Sequence, residues 1–317
     1  MKTAILFPGQ GAQYVGMGRE IYDNNATAKE VFDKAAEVLD WDIKEVCFED
    51  SNSIINQTRY TQAALFTTNY AIYKVVKETG LRVDAMLGFS LGEYDALVAS
   101  EALSFEDGLR LIDKRAGYME VAASKNEGGM SAVIGLNTEI ISEVCETVSS
   151  ETNYIVQVAN DNCMGQVTIA GELKGLEEAS NRLKQRGAKR VVPLKVSGAF
   201  HSTLMNDAKE KMAEEVKNIT FNEPEVLVIS NVTSKSIDAK EIKANIPAQI
   251  VQGVRFRESI ENLLNDEFDT FIELGPKCTL SNLVKKIVKE NLSDSTKSIN
   301  IYQAEDSKSI KELLERI

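Results

Sequence analysis

Short apolar runs alternate along this chain with longer stretches of helical periodicity. Thr3–Phe7 is an apolar run stopped by Pro8-Gly9-Gln10-Gly11, the pattern of a buried strand ending in a turn. Ala26–Val38 and Gln62–Thr79 repeat their apolar positions at helical spacing. Val83–Phe89 is a second apolar run, and a helix-like stretch over Leu91–Ala99 follows at once. Phe105–Ala123 predicts a long helix, opened by Ser104 with Asp107 three residues on.

Gly128-Gly129 breaks this rhythm. Met130–Leu136 reads as a strand, Glu139–Val148 as a helix, and Tyr154–Ala159 and Gln166–Ala170 as strands. Leu176–Arg186 then reads as a helix and Arg190–Val196 as a strand. The order β-α-β-β-α-β is the ferredoxin-like signature. A small subdomain is therefore expected at 126–199, inserted between halves of a larger one at 1–125 and 200–317.

Beyond it the larger pattern resumes. Leu204–Ile219 is helical, Glu225–Ile229 a strand, and Pro247–Val251 and Arg257–Leu264 are helical. Phe271–Leu274 is a strand ending at Gly275-Pro276; Leu280–Glu290 is helical, Ile299–Tyr302 a strand and Ile310–Ile317 a last helix. Strands alternating with helices imply an α/β fold with a parallel sheet covered on both faces.

Composition narrows the chemistry. The 317 residues carry 48 acidic and 36 basic side chains, a net charge of -12, which opposes nucleic-acid binding. No apolar run reaches the roughly 18 residues of a membrane span, and the run before Pro8 is too short for a signal peptide. A cytoplasmic protein with no membrane partner is expected. Cys47, Cys145, Cys163 and Cys278 form no CxxC pair, so neither structural zinc nor a redox dithiol is indicated. His201 is the only histidine, so a multi-histidine metal site is excluded and any mechanism that needs an imidazole must use it.

Gly88-Phe89-Ser90-Leu91-Gly92 fits G-x-S-x-G between a strand and a helix, the context of a nucleophile elbow. Glycines two residues either side of Ser90 relieve a sharp turn, and the Leu91 N–H would point at a developing oxyanion. The alternative for Ser90 is a helix cap in a glycine-flanked turn. A serine hydroxyl needs a base, and His201 lies in the loop Ser197–Thr203 at the exit from the small subdomain. The group that orients the imidazole, a carboxylate or a backbone carbonyl, is not readable from spacing. Gly9-Gln10-Gly11 lacks the Lys-Ser/Thr of a phosphate loop and the third glycine of a dinucleotide loop. A glycine-rich turn at a strand end can instead supply an N–H beside the nucleophile. Arg115 is either a solvated helix residue or a clamp for a substrate carboxylate.

These residues sit in a larger set: FPGQGAQYVGMG at 7–18, TQAAL at 61–65, GFSLGEY at 88–94, LIDKRAGYM at 111–119, ANDNCMGQVTIAG at 159–171, VSGAFHSTLM at 196–205, SNVTS at 230–234, GVRF at 253–256 and ELGP at 273–276. In that order, over nearly the whole chain, they resemble the malonyl-CoA:acyl carrier protein transacylases of fatty-acid synthesis and the related polyketide acyltransferases. The resemblance implies an α/β-hydrolase-like large subdomain with a ferredoxin-like insertion. It implies Ser90 as nucleophile, His201 as base, Gln10 and Leu91 N–H groups as oxyanion hole, Arg115 for the malonyl carboxylate, Gln62 as its pocket partner and Phe200 as an apolar wall. Many members have Pro-Val-Gln-Trp where this chain has Gly253–Phe256, and in them the Gln backbone carbonyl holds the histidine; the resemblance implies that role for the Arg255 carbonyl, the alternative being a solvated arginine near the site.

The implied reaction is ping-pong, from malonyl-CoA to the phosphopantetheine thiol of acyl carrier protein, with no metal or other cofactor and a monomeric enzyme. Candidate docking clusters for the acidic carrier are Lys184, Arg186, Lys189 and Arg190, or Lys285, Lys286 and Lys289. Departures from the family pattern are Phe89, Cys163-Met164, Gly253, Arg255 and Lys277. The rival readings are a discrete polyketide acyltransferase, a serine thioesterase or esterase, and a binding module in which Ser90 only caps a helix.

Overall fold

The computed structural model describes residues 1–292 and 298–317. Five strands form a parallel sheet in the order β7-β2-β1-β8-β9: β1 is Thr3–Phe7, β2 Ala85–Gly88, β7 Leu227–Ile229, β8 Thr270–Leu274 and β9 Asn300–Ala304. Every side chain of β1 is buried, because alternate residues feed different cores. Ile5 and Phe7 join one with the helices Thr58–Lys77 and Phe105–Lys125. Ala4 and Leu6 join the other with the helices Phe256–Asn265 and Thr279–Asn291.

The inserted segment builds an antiparallel sheet ordered β4-β5-β3-β6, from β3 Gly128–Ile134, β4 Val156–Cys163, β5 Gln166–Glu172 and β6 Arg190–Pro193. Its helices Thr138–Thr152 and Leu173–Gln185 cover one face through a separate core of Val133, Ile141, Val167 and Leu183. Met130, Ala159 and Ala170 turn instead toward the large core, which docks the small subdomain against it. An ion pair of Arg257 with Asp161 at 3.0 Å and the bond from the Asp161 N–H to the Val254 carbonyl at 2.9 Å tie the two parts together.

Several boundaries differ from the sequence expectation. The helix expected to begin at Pro247 begins at Ala239, where Asp238 and Glu241 form a reciprocal capping box. Pro247 lies in its last turns, so a residue read as a start marks the far end. Gln249 is thereby the last residue of this helix and not part of its first turn. Short helices at Arg19–Asn24 and Ile43–Phe48 were not expected; each has six residues, too few to show a period. The stretch 204–219 is helical in three pieces, with 3₁₀ turns at Thr203–Met205 and Val216–Asn218 around Asn206–Glu215. No helix among the described residues is long and apolar enough to cross a membrane.

Candidate active site

Ser90 lies in the three-residue turn between β2, which ends at Gly88, and the helix Gly92–Ala99. Its φ of 54° lies in the left-handed region, a strained conformation for a non-glycine residue. The flanking glycines are required sterically. A Cβ on Gly88 would stand 1.8 Å from the Gly92 backbone, and one on Gly92 would stand 2.3 Å from the Phe7 carbonyl oxygen. Asn231 holds the strained turn closed: its side-chain oxygen accepts from the Ser90 N–H at 2.7 Å and its amide donates to the Gly88 carbonyl at 2.6 Å. Buried Glu93 in turn accepts from the Asn231 N–H at 2.7 Å and from the Asn245 amide. Burial pushes the Glu93 carboxyl up to about 7, against those donors.

His201 arrives from the other side, in the turn after Ala199-Phe200, also with a left-handed φ of 58°. Its Nε2 lies 2.8 Å from Ser90 Oγ. Its Nδ1 faces two carbonyl oxygens, of Gln249 at 2.8 Å and of Gln252 at 3.1 Å. Carbonyls only accept, so Nδ1 carries the proton and Nε2 is free to accept one from the serine. Burial, with the nearby Arg115 charge, lowers the imidazole from 6.5 to about 4. The ring is neutral at pH 7, the state a base requires.

Arg115, 1% exposed, reaches the same point from the helix Phe105–Lys125. Its Nη2 donates to Ser90 Oγ at 3.1 Å and to Gln249 Oε1 at 3.0 Å, and its Nη1 donates to Gln62 Oε1 at 2.5 Å. The guanidinium carbon stands 5.7 Å from the centre of the Tyr94 ring. Its Nε has no hydrogen-bond partner, and among the described residues no carboxylate forms an ion pair with it. A buried cation with no carboxylate in direct contact is costly; the Glu93 carboxyl favours it only through space, so the site has room for a further anion.

Gln10, Gln62, Ser90, Leu91, Arg115, Phe200 and His201 share one cavity of about 120 Å³, closed by Met119, Met130, Leu194 and Val196. The Gln10 and Leu91 N–H groups make no hydrogen bond to another described residue, so two donors border the cavity unused. Lys277, also at a left-handed φ of 64°, donates from Nζ to the Gly11 and Gln13 carbonyls at 3.0 and 3.2 Å and so braces the Gln10 loop. Phe89 packs on Phe256, ring centres 5.7 Å apart.

Arg255 is not where it was expected to act. Its carbonyl accepts from the Ser259 N–H and hydroxyl at 3.0 and 2.8 Å, as the start of the helix Phe256–Asn265 requires. Its side chain is exposed and pairs with Glu258. The carbonyls facing His201 belong to Gln249 and Gln252, three to six residues earlier.

The family model for the acyl transferase domain matches residues 5–313. The chain belongs to this family. A malonyl CoA-acyl carrier protein transacylase of Bacillus subtilis is 44% identical over 287 residues, 90% of each chain. The structure of a malonyl CoA-acyl carrier protein transacylase from Clostridium perfringens superposes with a TM-score of 0.93 at 39% identity, covering 100% of this chain and 97% of that one. A malonyl-transacylase solved in complex with a type II PKS acyl-carrier protein gives 0.93 at 33% identity, covering 100% of both.

Within this acyl transferase fold, sequence reasoning missed Asn231, Glu93, Asn245 and the Gln249 side chain. Asn231 and Glu93 were inside quoted motifs, SNVTS and GFSLGEY, but had no assigned role. Gln249 carried no motif at all. Of the basic clusters, Arg186 is engaged by Glu143 at 3.0 Å and Lys286 donates to Gln166 at 2.9 Å.

Proposed function

We propose that this protein transfers the malonyl group from malonyl-CoA to the phosphopantetheine thiol of an acyl carrier protein, through a malonyl ester on Ser90. The observation that carries the reading is Arg115: a buried guanidinium without a carboxylate partner, 3.1 Å from the candidate nucleophile. A general esterase or thioesterase has no use for that charge. A malonyl thioester bound here would place its free carboxylate on Arg115 and its carbonyl carbon at Ser90 Oγ.

Attack transfers the Ser90 proton to His201 Nε2, and the Gln249 and Gln252 carbonyls stabilise the imidazolium that forms. The Gln10 and Leu91 N–H groups receive the developing oxyanion. Collapse of the tetrahedral adduct expels CoA thiolate, which takes the proton from His201. The carrier thiol then repeats the sequence in reverse, releasing Ser90. One thioester replaces another and no electrons move, so the chemistry calls for neither metal nor redox cofactor. The scheme calls on no group from a second subunit, in keeping with the expected monomer.

The reading is tested with malonyl-CoA and a purified carrier protein. Holo-carrier gains a malonyl group, apo-carrier lacking the phosphopantetheine thiol gains none, and free malonate does not accumulate. Steady release of malonate with either carrier would move the protein to the thioesterases. Parallel arms with fatty-acid and polyketide carriers distinguish those two services. The resemblance in the sequence favours the first.

A further inference from the structure

Arg115 is held by amides, although a buried arginine is more often held by carboxylates. Gln62 and Gln249, each 1% exposed, both turn a side-chain oxygen to it. Gln249 does more. Its Nε2 donates to the Ser90 carbonyl at 2.9 Å, which fixes which end of the amide faces the guanidinium. One side chain thus ties the cation to the backbone of the strained nucleophile.

Resting on the malonyl-transfer reading, we propose that the Gln249 side chain is a specificity-determining positioning residue. It fixes Arg115 beside Ser90 without neutralising it, so that only an acyl group bearing its own carboxylate completes the site. A glutamate of the same shape would still accept from the guanidinium, though it would give up the donation to the Ser90 carbonyl, and it would satisfy the charge. An incoming carboxylate would then meet a neutral pair, and an uncharged acyl group would no longer leave a buried cation unpaired. Selection between the two therefore depends on an amide at this position, a property separate from the backbone carbonyl of Gln249 that faces His201.

The test compares the rates at which malonyl-CoA and acetyl-CoA acylate wild type, Gln249→Glu, Gln249→Met and Gln62→Glu, with thermal unfolding recorded for each. Gln249→Glu is expected to lower the malonyl-to-acetyl ratio of kcat/KM at least about tenfold, chiefly through the malonyl-CoA KM. Gln249→Met removes the tether but leaves the charge; it should slow both substrates and keep the ratio within about threefold. Gln62→Glu brings a carboxylate to the other guanidinium nitrogen and should repeat the Gln249→Glu pattern, which carries the test if that variant does not fold. Glutamate variants with the wild-type ratio, or a methionine variant that loses as much selectivity as the glutamate, would overturn the proposal. A wild type that malonyl-CoA does not acylate would overturn the functional reading and this inference with it.

Discussion

His201 Nδ1 lies 2.8 Å from the carbonyl oxygen of Gln249, so the imidazole is oriented by a neutral acceptor with no carboxylate behind it. A carboxylate would favour the imidazolium and raise its pKa. Here burial comes first and the Arg115 charge second, and both disfavour it. His201 is the only histidine, so its ring signals can be followed by NMR without assignment. We expect the ring to stay neutral from pH 7 down to about 5 and to titrate near 4. Arg115→Met removes one depressing charge and should move the titration upward. An imidazole that titrates at its ordinary 6.5 in the folded wild type would contradict the geometry.

The elbow makes a second prediction. Asn231→Ala takes the acceptor from the Ser90 N–H and the donor from the Gly88 carbonyl, both at a strained backbone. Two buried hydrogen bonds lost with their partners left unpaired should cost about 2–4 kcal/mol in a denaturant titration. Because Asn231 holds the backbone turn that carries Ser90, the rate of acylation should fall at least about tenfold in protein that remains folded. An Asn231→Ala variant as stable and as fast as wild type would remove the clamp from the scheme.

Arg255 supplies the opposite case. Its side chain is solvated and pairs with a neighbour on its own helix, and its carbonyl belongs to the helix start. Exposed pairs of this kind contribute about 0–1 kcal/mol. Arg255→Ala should therefore leave the acylation rate within about twofold and stability within about 1 kcal/mol. A large loss of rate in a folded variant would return Arg255 to the site.

The division into a parallel and an antiparallel layer was legible in the sequence because it depends on periodicity and on Gly128-Gly129, both local signals. Ser90 was legible for a similar reason: the steric demand of the turn is met by residues two positions away. What holds the site was not legible. Asn231 lies 141 residues from Ser90, and Gln249 lies 48 from His201 and 134 from Arg115. No spacing encodes such contacts. The misplaced role of Arg255 has the same origin, since a motif fixes an alignment column but not which carbonyl of a turn faces an imidazole. The start of the helix Ala239–Gln249 has a local signal in Asp238 and Glu241, the spacing of a capping box, which the sequence analysis does not use.

The central claim is a covalent malonyl group on Ser90, and intact-protein mass spectrometry after brief mixing with malonyl-CoA tests it most directly. Wild type should gain the mass of one malonyl group, Ser90→Ala should gain none, and acetyl-CoA should give a far weaker adduct. An adduct that persists in Ser90→Ala, or CoA released by wild type with no adduct at any time, would contradict it.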